Sequence, residues 1–493
     1  MKHPTMLAHL LTTTVVVLCA ARTLSAQVPI DTVHALAQVA REARRIGATH
    51  GESIWPGFRP DTIPLSFVLP SRGDVLFGWR GALPAGYTAI PGIADAAWRE
   101  QRALGAASTS TTLEGRHVAQ VAVSSLEPVM LVATAIHEAF HALQAASRQA
   151  GRKFGRGENA MLVSTYPLFD VDNETAFALE GKILASALGA TSTARKRALA
   201  QQFVAVRRER HRVLPSEFAD FETLSELNEG LADYALVRAL MYQAAEAPAA
   251  WRPAARRALD ERTALLDAVT GSENLSLRFR FYQTGPAQAL LLDALAGPSW
   301  KADMLRTNST MHDMLGAASG IDAVAIAART AAASGTAQLR TRALSDIERL
   351  KASRRAKADS VLAVPGIRLV LAADSLPVKA FNSCGYDPQN LLQVTATTRI
   401  QMRWWKPCAG GPTYAEFNVP SVHDATAGTI SAVIGQESEV KLTSNGQQLV
   451  VRDGETVRDV RVFRLEAPRA SVDAVRADIT RRGGVLTVLP KGP

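Results

Sequence analysis

The chain is poor in cysteine, with three among 493 residues. Its stability must therefore rest on a packed core, and a chain this long and 47% hydrophobic can build a large one. Past its first two dozen residues it lacks an apolar run of the ~20 residues that a bilayer span needs, which excludes a multi-pass membrane protein. It also lacks a strong charge of one sign. The formal net charge is +9, and Lys2 and Arg22 of the leader described next account for two of it, leaving +7. That is mild for this length and does not point to a nucleic-acid partner. No fixed-period repeat is present.

Lys2, the uncharged run Leu10–Ala21 and the small-residue end Leu24-Ser25-Ala26 follow one another in the order of a secretory signal peptide covering 1–26. A buried N-terminal helix is the alternative. Leu18 before Cys19 speaks against a lipoprotein anchor, so the mature chain is expected in the periplasm or outside the cell with no transmembrane anchor. Export leaves Cys384 and Cys408. In an oxidising compartment two thiols suggest one disulfide, with two separate buried thiols as the alternative.

The remaining chain reads as α+β. Asp31, an N-cap candidate, opens a helix to about Ile46. Strand-like runs follow at Ile63–Leu69, Asp74–Trp79 and His117–Ser124, and helix dominates from Val132 to about Ile347. Residues 27–130 and 131–339 thus form an α/β part and a helical part of one expected catalytic unit. The charged stretch 340–375, including Arg340–Lys357, reads as a solvated helix and linker. Residues 376–493 read as a β-rich domain, with strands at Leu392–Trp405, Thr429–Ile434, Glu439–Thr443, Gln448–Arg452 and Val457–Phe463, and turn signals at Asn445-Gly446 and Asp453-Gly454. One late helix is expected at Val472–Arg482, between Ser471 and Gly483. Trp404 and Trp405 are either a packing ridge or a ligand-stacking surface.

The chemistry is concentrated in Thr134–Leu143 (TAIHEAFHAL), which contains H-E-x-x-H. Residues four apart on a helix lie one turn up on the same face, so His137 and His141 can hold one metal ion. Two imidazoles and a carboxylate suit one Zn²⁺ per chain. Glu138 lies next to His137, where it can take a proton from water acidified by the metal and return it to a leaving amine. The uncharged flanks suit a buried helix.

This segment resembles the zincin metallopeptidases. It departs from the metzincin branch, because position 144 is Gln and position 147 is Ser. Asn228-Glu229-Gly-Leu-Ala-Asp233-Tyr234 looks like the N-E-x-x-x-D helix of the gluzincins, with no subfamily assigned. By that resemblance Glu229 is the third zinc ligand and Asp233 hydrogen-bonds a ligand histidine. The implied fold is a small N-terminal mixed sheet followed by a mostly helical remainder. The implied activity is metal-dependent hydrolysis of a peptide or protein substrate. A catalytically inactive binding protein on this fold, or a zinc hydrolase of another bond, are the alternatives.

Helix geometry supports the same residues. At 100° per residue, Glu222, Glu226, Glu229 and Asp233 fall within about 60° of one another. That face continues as Leu236, Val237 and Leu240, which buries the helix and makes unpaired carboxylates costly. A solvent-facing acidic stripe is the alternative for Glu222 and Glu226. Between His141 and Glu229 lie 87 residues, room for an inserted helical segment, roughly Glu174–His211. Glu174 and Glu180 on that segment are rival third ligands. Val118–Ser124 is the candidate sheet edge for substrate pairing, or an ordinary core strand. Tyr282 is the preferred oxyanion donor and Tyr234 the next, either of which could be a core tyrosine. His117 and His211 read as structural.

Overall fold

The structure, a computed structural model, describes residues 29–69, 72–100, 108–123, 127–270, 277–320, 330, 335–372, 383–386, 390–407 and 413–491. The signal-peptide reading and Cys408 lie outside the described residues, and so does the side chain of Cys384. The fold is α+β, as expected.

Helix α1 (Ile30–Ile54) begins one residue before Asp31, with Pro29 rather than Asp31 at its cap, and runs two turns past Ile46. Six strands follow: β1 (Leu65–Leu69), β2 (Gly73–Phe77), β3 (Thr88–Ala89), β4 (Ala96–Glu100), β5 (Thr109–Leu113) and β6 (Arg116–Ala122). They form one mixed sheet in the order β3-β4-β2-β1-β6-β5. β1 and β6 are parallel and the other pairs antiparallel. The strand that covers most of Val118–Ser124, β6, is therefore interior. The sheet edge next to it is β5, whose polar sequence Thr-Ser-Thr-Thr-Leu gave no hydrophobic alternation to find.

The helical part contains α2 (Pro128–Ala146), α3 (Val171–Gly189), α4 (Thr193–Val213), α5 (Ser216–Ser225), α6 (Leu231–Glu246), α7 (Arg252–Leu265), α8 (Phe281–Ala296), α9 (Trp300–Thr307) and α10 (Met311–Ser319). A π-helical turn, Glu226–Gly230, joins α5 to α6. Helix α2 is apolar enough by composition to cross a membrane, but it is largely buried between the sheet and α6. Trp55 at the end of α1 stacks on Phe154 with centroids 5.2 Å apart and meets Phe140 of α2 edge-on at 5.6 Å. This cluster fixes α2 against α1.

The charged stretch forms α11 (Thr336–Leu362). It is not wholly solvated: Ala343, Ile347, Leu350, Ala358 and Val361 form a buried stripe, and Arg354 donates to Gln393 O at 2.6 Å. Its first half packs on α3, and Ala358 and Val361 join Val394, Ile400 and Val422 of the C-terminal part.

Among the described residues that part forms a single sheet of thirteen strands, β7 to β19 in chain order. Ile367–Ala372 (β7), within the stretch read as a linker, sits between β14 (Thr429–Gly435) and β19 (Val485–Lys491). The expected late helix is a strand, β18 (Ala470–Arg482). Ser471 and Gly483 resembled a helix cap and stop, but the segment is paired on both sides, by β17 (Thr456–Ala467) and β19. Burial then alternates along it, and Gly483, at φ +57°, lies in the turn that leads to β19. Asn445-Gly446 forms the expected hairpin turn between β15 (Lys441–Ser444) and β16 (Gln447–Gln448), with φ +50° and +77°. Trp405 packs inside against Phe417, while Trp404 is partly exposed and donates to Glu416 at 2.7 Å.

Candidate metal centre

Pro128 opens α2, where a missing N–H costs nothing. Two turns later the helix presents His137 and His141 side by side, with His137 and Glu138 each only 5% exposed. The two Nε2 atoms face each other at 3.1 Å. Glu229 Oε2 lies 3.6 Å from Nε2 of His137 and 3.3 Å from that of His141. Glu138 lies in the same group, with its ligand atoms and those of the two histidines within 4.8 Å of one another.

The opposite ring nitrogens set the tautomers. Nδ1 of His137 is 3.2 Å from Asp233 Oδ1, and a carboxylate only accepts, so that Nδ1 carries the hydrogen. Nδ1 of His141 is 2.7 Å from Gln144 Oε1. The Gln144 amide is oriented by donating to Leu227 O at 3.0 Å and Asn228 O at 2.9 Å. In the neutral rings both Nε2 atoms then carry lone pairs aimed at one point, with an anionic carboxylate beside them. Such a set repels itself unless a cation stands between its members. Tetrahedral coordination at ~2.0–2.1 Å separates ligand atoms by about 3.3 Å, and the observed separations of 3.1, 3.3 and 3.6 Å bracket that value.

Glu229 reaches this place through the π turn. Gly230 on that turn touches Gly285 on α8 so closely that a β-carbon on Gly285 would come within 2.4 Å of Gly230 Cα. The contact brings Tyr282, one turn earlier on α8, beside the site. Its ring lies parallel to that of His137, with centroids 5.9 Å apart. Burial and the Glu229 carboxylate push the Tyr282 hydroxyl well above its ordinary pKa, so it stays a donor. Tyr234 points elsewhere: its hydroxyl donates to Asp293 Oδ2 at 2.7 Å.

Burial opposes ionisation of Glu229. The two histidines facing it and the nearby Arg278 guanidinium outweigh it and hold the carboxyl well below its usual range. Arg278 donates to Glu229 Oε1 at 2.7 Å and is itself held by Glu158. Glu138 goes the other way. Burial is its largest influence and raises its pKa, with only partial compensation from the two histidines. The Ser110 backbone on β5 hydrogen-bonds it.

The rival carboxylates are committed to arginines. Glu174 takes both terminal nitrogens of Arg280, at 2.7 and 2.6 Å. Glu180 takes Arg207 Nε at 2.7 Å and Arg210 Nε at 2.8 Å. Glu222 and Glu226 do not form a solvent-facing stripe: they are 0% and 2% exposed and pair with Arg210 and Arg207. Sequence reasoning missed Gln144, Arg278 and Arg262, the last of which donates to Asp233 Oδ2. Gln144 was legible as i+3 from His141, and the arginines only as unassigned charges. No family model, curated protein or solved structure matches the chain.

Proposed function

We propose that the chain is an exported, zinc-dependent peptidase of the gluzincin type. The observation that carries this reading is the pair of imidazoles whose Nε2 atoms converge, closed by Glu229 and flanked by the buried Glu138. His137, His141 and Glu229 would hold the ion, and Asp233 and Gln144 fix the two imidazole tautomers. When bound, zinc supplies Lewis acidity that lowers the pKa of water at the site.

Every other part of the reaction falls to side chains. Glu138 accepts a proton from water and delivers it to the leaving amine. Its raised proton affinity, set by burial, suits both halves of that task. Tyr282, kept protonated, donates to the oxygen that becomes negative as the carbonyl carbon turns tetrahedral. Arg278 keeps Glu229 ionised and directed at the histidines.

The test is metal analysis of the purified chain, with cleavage of a mixed peptide library by wild type and Glu138→Gln. The reading expects one zinc per chain and metal-dependent cleavage that falls by ~10²-fold or more in Glu138→Gln. A protein that binds no stoichiometric transition metal after zinc reconstitution overturns it.

A further inference from the structure

On its His141 side the candidate centre opens into a cavity of about 400 Å³. One wall is the hairpin of β5 and β6, where Thr112 pairs with His117 and Ser110 with Ala119. Ala119 belongs to the main core beneath α2, whereas Val118, the next residue, belongs to the cluster on the other face. Side chains alternate along a strand, so Ser110, Thr112 and His117 stand on the face turned toward α2. Across from them, α2 and the residues just past its end contribute His141, Gln144 and Arg148.

No lining residue is a carboxylate, and none has an aliphatic side chain larger than alanine. Gln144 is spent at both ends on His141 and the π turn. Arg148 is not. Its Nε donates to Gly155 O at 2.9 Å, which holds the guanidinium against the wall. Among the described residues its terminal nitrogens have no protein partner, and neither has the His117 ring. The C-terminal end of α2 contributes about half a negative charge, less than the full positive charge of Arg148.

We propose, resting on the peptidase reading above, that this cavity receives a carboxylate of the substrate. Arg148 pairs with it, and His117 and the hydroxyls of Ser110 and Thr112 donate beside it. An aliphatic side chain placed there meets no apolar surface to bury against. An ammonium group meets Arg148. The carboxylate is either an acidic side chain next to the scissile bond or the substrate's own C-terminus, since the cavity offers both the same chemistry.

The experiment uses the zinc-loaded full chain and peptides that differ at one position beside the scissile bond, Glu, Gln, Leu or Lys. Each is made with a free and an amidated C-terminus. The expected result is a kcat/KM about 10-fold higher for peptides carrying the recognised carboxylate, expressed mainly in KM. Amidation abolishes the preference if the C-terminus is the ligand and leaves it if the side chain is. Arg148→Gln should remove the preference, Arg148→Lys retain part of it, and Arg148→Glu shift it to the Lys peptide, each judged against unchanged zinc content and melting temperature. Equal cleavage of Glu, Gln and Leu peptides by wild type, or a preference that survives in Arg148→Gln, overturns this inference and leaves the peptidase reading standing. A zinc-loaded chain that cleaves no peptide overturns both.

Discussion

A single amide, Gln144, shows how the candidate centre works at the scale of residues. It accepts from one histidine and is itself aimed by two backbone carbonyls of the segment that carries Glu229. The centre thus ties α2 to the π turn through hydrogen bonds as well as through any ion. Gln144→Leu should keep the volume and lose the acceptor, lowering zinc affinity by about 10–100-fold, as read by competition with a chelator. Asp233→Asn should act on His137 in the same way and by a similar factor. Glu138→Gln should keep zinc bound while turnover falls by ~10²-fold or more. Glu229→Ala should abolish tight zinc binding, whereas Glu174→Gln and Glu180→Gln should retain it. If Glu180→Gln loses zinc while Glu229→Ala binds it normally, the assigned ligand set is wrong.

At the scale of elements, the decisive contact is between α8 and the π turn. Gly285→Ala must push the two backbones apart, because its β-carbon would overlap Gly230 Cα. Tyr282 and Glu229 sit on the two sides of that contact. Activity should therefore fall by more than about 10-fold, as a displacement near 1 Å does, even in preparations whose circular dichroism matches wild type. Wild-type kcat in a folded Gly285→Ala protein would refute this. In the C-terminal sheet, β8 (Ser383–Tyr386) pairs with β11 (Trp405–Pro407), and Pro407 lies opposite Ser383. Each of these two residues directly precedes one of the cysteines. A Cys384–Cys408 bridge would close a loop of 25 residues, worth about 3 kcal/mol in the chain-entropy account. Alkylation under denaturing, non-reducing conditions should find neither thiol free.

At the scale of the whole molecule, buried charge sets the acid limit. Burial opposes ionisation of Glu222, yet Arg210 and His211 hold its carboxyl well below the usual range, and Arg207 lowers that of Glu226 against the same opposition. A carboxyl depressed in the folded state stabilises fully above its unfolded pKa of about 4.3, and that stability is lost as pH falls below it. His423 acts earlier. Burial, then Arg399, lowers it to about 4, and burial, then Arg207, lowers His312. The unfolded chain binds protons at these histidines from about pH 6.5 downward, before the folded chain does. The melting temperature should thus decline gently below about pH 6.5 and steeply below about pH 4.3. A flat profile from pH 7 to 4 would contradict the assigned burial of these groups.

The sequence by itself determined what is local and periodic. The four-residue spacing of His137 and His141, the apolar character of α2 and the Asn445-Gly446 turn follow from chain geometry without reference to any distant residue. Glu229 was singled out only by the Asn228–Asp233 pattern, because an apolar helix makes every carboxylate on that face costly without choosing among them. Tertiary structure decided everything that depends on what faces what. Glu222 and Glu226 had the same helical position as Glu229, and only the arrival of Arg207 and Arg210 from α4 separates ion-paired carboxylates from one directed at two histidines. Ser471–Arg482 carried a helix's end signals, but neighbouring strands on both sides made it a strand, because β-pairing is satisfied between segments and not within one. The polar edge strand β5 and the cavity around Arg148 were hidden for the same reason. A surface built from the ends of elements far apart in the chain leaves no period in any one of them.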